Sequence, residues 1–355
     1  MVALYITIDT EYEFGFTACF GRGSRADNFA RSIRGATADG EAGIFYQMDV
    51  FDRLGLKAVF FVDPMPALLW GTGAIADVVE PVLARGHDVQ LHLHTEWLAL
   101  LGKANPLGKR TGSNMKDFTR DEQRVLLEVG IDQLMKAGAP RPVAFRAGNY
   151  GANDNTLRAL ADVGLSHDSS HPPGLAQSDC AIRLGPEHRR PLRRHGVIEV
   201  PIGCIADAFG GLRHAQITAL SYRETVAALR HARQHDLASF TVVSHSFELL
   251  CRQRQRINRI LQHRFERICE HVAQMQGVHT ATFADLPPVP AKRVVDAPIL
   301  APAPLLNGTR IVEQVVANAL YGRKSLPHTE DEAAEPSSGA KALRYWEIAS
   351  QARVR

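Results

Sequence analysis

The chain has 355 residues, 45% of them hydrophobic and 22% charged, which suits one large barrel or sheet domain with a tail, or two small domains. A net charge of only +3 gives no basic surface of the kind nucleic acid selects. Five scattered cysteines without CxxC spacing argue against a disulfide framework or a cysteine zinc site, and no apolar run approaches the roughly 18–20 residues of a membrane span.

Residues 3–9 read as a short buried strand running straight from the N-terminus. No basic region, long apolar core or small-residue cleavage site precedes it, so a cytoplasmic setting is expected. Asp9 and Glu11 share parity and would face one side of that strand. Acids at a strand's carboxyl end are how sites form in α/β folds, although an Asp-Thr pair also starts ordinary turns. Residues 14–40 are rich in Gly, Arg, Ser and Asp without a period, and read as a long loop. Gly40–Leu54 then carries a helical apolar face, stopped by Gly55. Ala58–Val62 is a continuous apolar run, as expected of a strand buried on both faces, with Pro64 past its end. A second amphipathic helix covers 74–85.

The segment Asp88–Trp97 follows. Val89, Leu91 and Leu93 alternate with Gln90, His92 and His94, so a strand would place both imidazoles on one face, with Glu96 two residues on. Two neutral histidines beside a carboxylate suit Zn²⁺ or a similar divalent ion; an isolated His-x-His is equally compatible with an ordinary pair of core or surface histidines. Residues 101–118 read as loop. Thr119 and Glu122 then have the spacing of a capping box, opening a helix with Leu126, Leu127, Ile131 and Leu134 on its apolar face.

A strand at Val143–Arg146 leads into Ala147-Gly148-Asn149-Tyr150-Gly151. An arginine there can orient a carboxylate, and the turn can offer backbone N–H groups to a ligand; a surface arginine entering a tight turn fits the same residues. A helix capped by Asn153 or Asp154 and a polar strand end, Asp168-Ser169-Ser170-His171, come next. The arginine-rich stretch 175–196 could meet an anionic sugar or lipid head group, or be a solvated loop. Val197–Ile202 reads as a strand, Thr225–His235 as a helix, and Phe240–Ser244 as an apolar strand ending in His245. A long helix runs from about Ile257 to Met275, and a last strand is expected near Thr280–Thr282. From Pro287 prolines punctuate the chain; residues 326–340 read as disordered, with short helices at about 308–321 and 341–351. Strands alternating with helices predict a parallel sheet or barrel.

Taken in order, an Asp near the N-terminus, Leu-Gly-Leu-Lys-Ala-Val-Phe-Phe-Val, Gly-His-Asp-Val-Gln-Leu-His, Phe-Arg-Ala-Gly-Asn-Tyr-Gly, Asp-Ser-Ser and Ser-His resemble the polysaccharide deacetylases, the NodB-homology family. The likeness spans about residues 3–285. It implies an α/β fold, a distorted (β/α) barrel with about seven parallel strands over 1–286, and leaves out the Pro-rich linker and largely irregular tail over 287–355 that composition indicates. It also implies a divalent ion, zinc first, and removal of N-acetyl groups from a saccharide or glycan precursor. Asp9 resembles the family's general base and His245 its general acid, with Arg146 orienting the base. The family's second Asp, a metal ligand, is Thr10 here, and Glu11 is the natural substitute. His92 matches the first metal histidine. The second is expected four residues on, where Glu96 stands; His94 shares the strand face of His92, leaving Glu96 as competitor or helper. Tyr150, Asn149, Asp168 and Trp97 are expected at the substrate. Two other readings remain open: a metal-dependent amidase acting on a non-sugar amide, and a non-catalytic carbohydrate-binding barrel.

Overall fold

A computed structural model describes residues 1–208, 210–290 and 298–321. The core is a curled sheet. In chain order its strands are β1 (Val2–Thr10), β2 (Val59–Val62), β3 (Asp88–Leu93), β4 (Ala144–Ala147), β5 (His167–Asp168), β6 (Leu192–Arg194), β7 (Val197–Glu199), β8 (Ser239–His245) and β9 (Val278–Thr280). Seven run parallel in the order β8-β1-β2-β3-β4-β5-β7, and β6 adds an antiparallel edge beside β7. The edge of β1 that pairs with β2 from Thr7 onward pairs with β9 at Val2–Leu4. Irregular chain spans the gap between β7 and β8: Gly203 donates to Thr241 (2.9 Å) and Ile217 to Val243 (3.2 Å). This is the distorted barrel that the family resemblance implies, with eight parallel strands among the described residues, β9 included, where about seven are expected.

The period of two explains how one sheet serves two layers. Leu4, Ile6 and Ile8 of β1, Phe60 and Val62 of β2, and Leu91 and Leu93 of β3 pack outward into the large core under the helices. Ala3, Tyr5, Val59, Phe61, Ala144 and Ile198 point inward and, with Phe283, fill the lower barrel. The alternate inward positions nearer the carboxyl ends are polar: Thr7, Asp9, Gln90, His92 and Arg146. The polar site therefore begins where the aromatic plug ends.

The covering helices are α1 (Phe14–Phe20), α2 (Ile44–Leu54), α3 (Gly73–Ala84), α4 (Arg120–Lys136), α5 (Asp154–Asp162), α6 (Tyr222–Gln234), α7 (Arg259–Gln274) and α8 (Pro304–Tyr321). The capping box at α4 forms as expected, Thr119 receiving the Glu122 N–H and Glu122 the Thr119 N–H (2.8 Å). Gly55 stops α2 in the left-handed region that a residue without a Cβ adopts freely.

Three readings need correction. Residues 14–40 are not an open loop: α1, two short turns, a π-helical turn at Phe29–Ile33 and a small hairpin fill them. Asn28, buried, organises this region through bonds to Glu13, Thr17 and Ser32, a pattern of polar partners that a search for apolar periodicity does not register. The last strand lies at Val278–Thr280, two residues early, because it pairs with Val2–Leu4. The strand at Val197 ends at Glu199. Past residue 286 the chain still touches the barrel, with α8 tied down by Arg310 to Glu224 (3.1 Å) and Arg264 to Glu313 (2.6 Å). The disorder expected at 326–340 and the helix expected at 341–351 lie outside the described residues.

Candidate active site

Parallel register brings the polar residues to one end of the barrel. Asp9 on β1 stands beside His245 on β8, and His92 on β3 beside Arg146 on β4. Glu11 and His94 follow just past their strands, on the same faces as Asp9 and His92.

Glu11, His92 and His94 converge, with one donor atom from each lying within 4.8 Å of the others. Glu11 Oε2 is 2.5 Å from His94 Nε2 and 3.2 Å from His92 Nε2. The far side of each ring fixes its proton. His92 Nδ1 is 2.8 Å from the carbonyl oxygen of Arg146, an acceptor only, so Nδ1 carries hydrogen and Nε2 is the nitrogen that faces Glu11. His94 Nδ1 is 2.7 Å from Glu96 Oε2, which places this ring between two carboxylates. Burial pushes the Glu11 carboxyl up, but His94 and His92 outweigh it and hold Glu11 well below the usual carboxylate range. Burial likewise lowers His94, and Glu11 and Glu96 outweigh it, raising His94 well above the ordinary imidazole value.

This arrangement fits a divalent cation. Nitrogen lone pairs facing a carboxylate oxygen repel unless a proton or an ion stands between them. Two histidines and a glutamate are also the donor set of catalytic zinc sites, and each ring's other nitrogen is engaged, as ligating histidines require. Glu96 is not among the converging donors and instead holds His94; its other oxygen accepts from Asn149 Nδ2 at 3.3 Å. Gly148 is needed at this point, because a Cβ there would lie 2.8 Å from the His94 ring.

On the opposite flank, Arg146 is fully buried and donates from Nη1 to Asp9 Oδ1 at 2.5 Å. Its other nitrogens reach Ser169, at the carbonyl (3.1 Å) and the hydroxyl (3.2 Å), while the guanidinium lies 4.3 Å over the Phe61 ring. The position of Asp9 is therefore fixed by three strands. His245 Nδ1 is 2.7 Å from Glu248 Oε2. Burial lowers the His245 value, but Glu248, with smaller contributions from Asp9 and Glu11, raises it to about 9. Glu248 accepts in turn from Gln216 Nε2 (2.9 Å) and the Thr218 hydroxyl (2.5 Å).

Of the residues expected at the substrate, Tyr150 and Asn149 are half-buried and lie in the turn beside the site, both with left-handed φ of 56°. Burial pushes the Tyr150 hydroxyl up, and the charges of Arg146, Asp9 and Glu248 act on it. Trp97 and Asp168 are corrected. Trp97 is fully buried, edge-on to Phe14 and Trp70, and belongs to the core. Asp168 is also fully buried; it holds the Ser170 hydroxyl (2.7 Å) beside Glu199 and presents no oxygen to a ligand. Thr10 is buried with its hydroxyl on the carbonyl of Ile8, so it takes no part. Sequence reading missed Glu248, Ser169 and Asp63. Glu248, three residues after His245, was the most accessible of these, since a carboxylate close to a strand-end histidine is a signal.

No family model matches the chain, and no curated protein does. Solved structures do. A Mycobacterium smegmatis protein provisionally assigned as a polysaccharide deacetylase is 17% identical, with 94% of this chain and 95% of that one covered at a TM-score of 0.50. A family 4 carbohydrate esterase from Streptomyces lividans, solved with acetate, is 11% identical over 85% of this chain and 98% of that one, at a TM-score of 0.41. A 4-alpha-glucanotransferase from Thermococcus litoralis is 12% identical over 80% of this chain and 40% of that one, at a TM-score of 0.48. At 17% identity the likeness to the Mycobacterium smegmatis protein shows the fold alone: the chain shares that protein's architecture.

Proposed function

We propose that the protein is a metal-dependent hydrolase that removes N-acetyl groups from a saccharide or glycan precursor. One observation carries the reading. The Glu11–His92–His94 group is flanked by a fixed carboxylate, Asp9, and by a histidine, His245, that is protonated near neutral pH. These are the parts amide hydrolysis needs: a cation site, a base and an acid.

Glu11 Oε2, His92 Nε2 and His94 Nε2 would hold the ion, zinc being the first expectation. When bound there, a divalent ion would supply Lewis acidity toward an amide carbonyl and would lower the pKa of a water toward about 7. Asp9, anchored through Oδ1 to Arg146, takes the water's proton on its other oxygen. The oxygen so activated attacks the acetyl carbon, and the C–N bond breaks. His245, whose Nδ1 is held by Glu248, gives the Nε2 proton to the departing amine. Acetate and a free amino sugar result, with every atom of water and amide accounted for. The Gly148–Tyr150 turn, which packs against His94, would supply polar contacts to the substrate.

The test is metal content and acetate release together. Purified without chelator, the protein should carry about one divalent ion per chain and release acetate from N-acetylated sugars; His92→Ala should lose both. A protein that binds no ion after incubation with Zn²⁺, Co²⁺ or Mn²⁺ would overturn the reading.

A further inference from the structure

The strand ends contain one more carboxylate. Asp63 follows β2, and its N–H still donates to the carbonyl of Thr10 at 3.1 Å, so it continues the pairing with β1. Thr10 is the partner of Val62, Val62 of Leu91, and His92 of Arg146. One residue further along, Asp63 stands abreast of Glu11 on one side and His92 on the other. It has the inward parity of Phe61 and the shortest side chain in that row. Its two neighbours in the row, Glu11 and His92, approach each other to 3.2 Å.

Its partners are incomplete. Asp63 is 1% exposed. Oδ1 accepts from the Met65 N–H at 3.1 Å, whereas Oδ2 has no hydrogen-bond partner among the described residues. The charged groups acting on it are His94, His92 and Glu11, the cluster above. Burial raises its carboxyl to about 6, an effect that His94 and His92 offset only in part, so the buried, unpartnered oxygen beside a second carboxylate still costs stability. Asp63 lies outside the group of donors within 4.8 Å of one another, so it acts on that group through its charge.

We propose that Asp63 is a fourth member of the cation site, supplying a second negative charge beside Glu11, so that the ion is held on two imidazoles and two carboxylate charges. The proposal rests on the metal-dependent reading given above. It makes Asp63 a positioning residue that disfavours the metal-free fold and favours the metal-bound one.

That opposition separates the role from a structural one. Asp63→Asn keeps an acceptor for the Met65 N–H and replaces the unpartnered oxygen with an amide. Without metal its melting temperature should rise by about 2 °C or more. Its affinity for Zn²⁺ and Co²⁺, by competition with a chromophoric chelator, should fall about 10–100-fold, the effect typical of supporting groups in metal sites. Asp63→Ser, which can still accept from Met65, should change in the same directions. Metal affinity within about threefold of the native protein, or a lower metal-free melting temperature in both variants, would overturn the proposal while leaving the hydrolase reading intact. A native protein that binds neither ion would overturn both.

Discussion

Replacing Glu248 with glutamine tests the acid assignment most directly. Glutamine keeps the size of the side chain and one acceptor for His245 Nδ1 but removes the charge 2.7 Å away. In the native protein burial favours neutral imidazole, and Glu248 more than reverses this, setting the value at about 9. Without that charge the opposing burial remains, and the value should fall to about 6.5 or below, a change of roughly 2.5 units or about 3 kcal/mol for the protonated form. That figure is an upper estimate, because the His245 side chain is 25% exposed and solvent screens part of the interaction. At pH 8 a group of pKa about 9 is ~90% protonated and one of about 6.5 is ~3%, so kcat/KM should fall about 30-fold. The readout is the pH profile of acetate release. Activity that needs protonated His245 is lost as pH rises through about 9 in the native enzyme and through about 6.5 in the variant. Stability gives an independent check. A histidine raised on folding stabilises fully below its unfolded value near 6.5, and that contribution disappears as pH rises through about 9. The native protein should therefore exceed the variant most near pH 6, and the gap should close by about pH 10 in denaturant titrations. A basic limb that stays near pH 9 in Glu248→Gln would refute the reasoning.

Asp9→Asn should abolish turnover while leaving bound metal at about one ion per chain; measurable turnover above background would remove Asp9 from the base role. Arg146→Ala leaves Asp9 buried without its partner and should cost roughly 3–5 kcal/mol in denaturant unfolding, the usual effect of breaking a buried pair. Arg146→Lys can restore charge but not the simultaneous bonds to Asp9 and Ser169, so it should recover stability more than activity. Gly148→Ala places a methyl 2.8 Å from the His94 ring and should weaken metal binding, read by chelator competition, with much less effect on the His245 pH limb.

The period of two made much of the site legible, because it depends only on counting. Asp9 with Glu11, and His92 with His94, fall on common faces in the sequence, and Glu11, His92 and His94 converge in the structure. The same counting failed where position depends on a neighbouring strand. Asp63 precedes a proline at the end of an apolar run and reads as a terminator; its place between Glu11 and His92 follows only from the registers β1–β2 and β2–β3. Trp97 and Asp168 failed in the opposite way. Adjacent in sequence to histidines and serines of the site, they turn into the core, and no local pattern separates the two directions.

The candidate donor group differs from the pattern of the resembled family in a way strand geometry accounts for. Thr10 follows Asp9 directly, so an extended chain sends its side chain to the opposite face, where its hydroxyl bonds the carbonyl of Ile8. Glu11 returns to the face of Asp9 just past the strand, and the longer glutamate side chain can reach both histidines. The histidines likewise sit two apart, at the spacing that suits a chain still extended at His94, and not at the four that would suit a following helical turn. Glu96 falls in that turn, at Thr95–Trp97, and reaches only the far nitrogen of His94. Moving the acid by one residue and the second histidine by two thus leaves a three-donor group at the same end of the barrel, with Asp9, Arg146 and His245 around it.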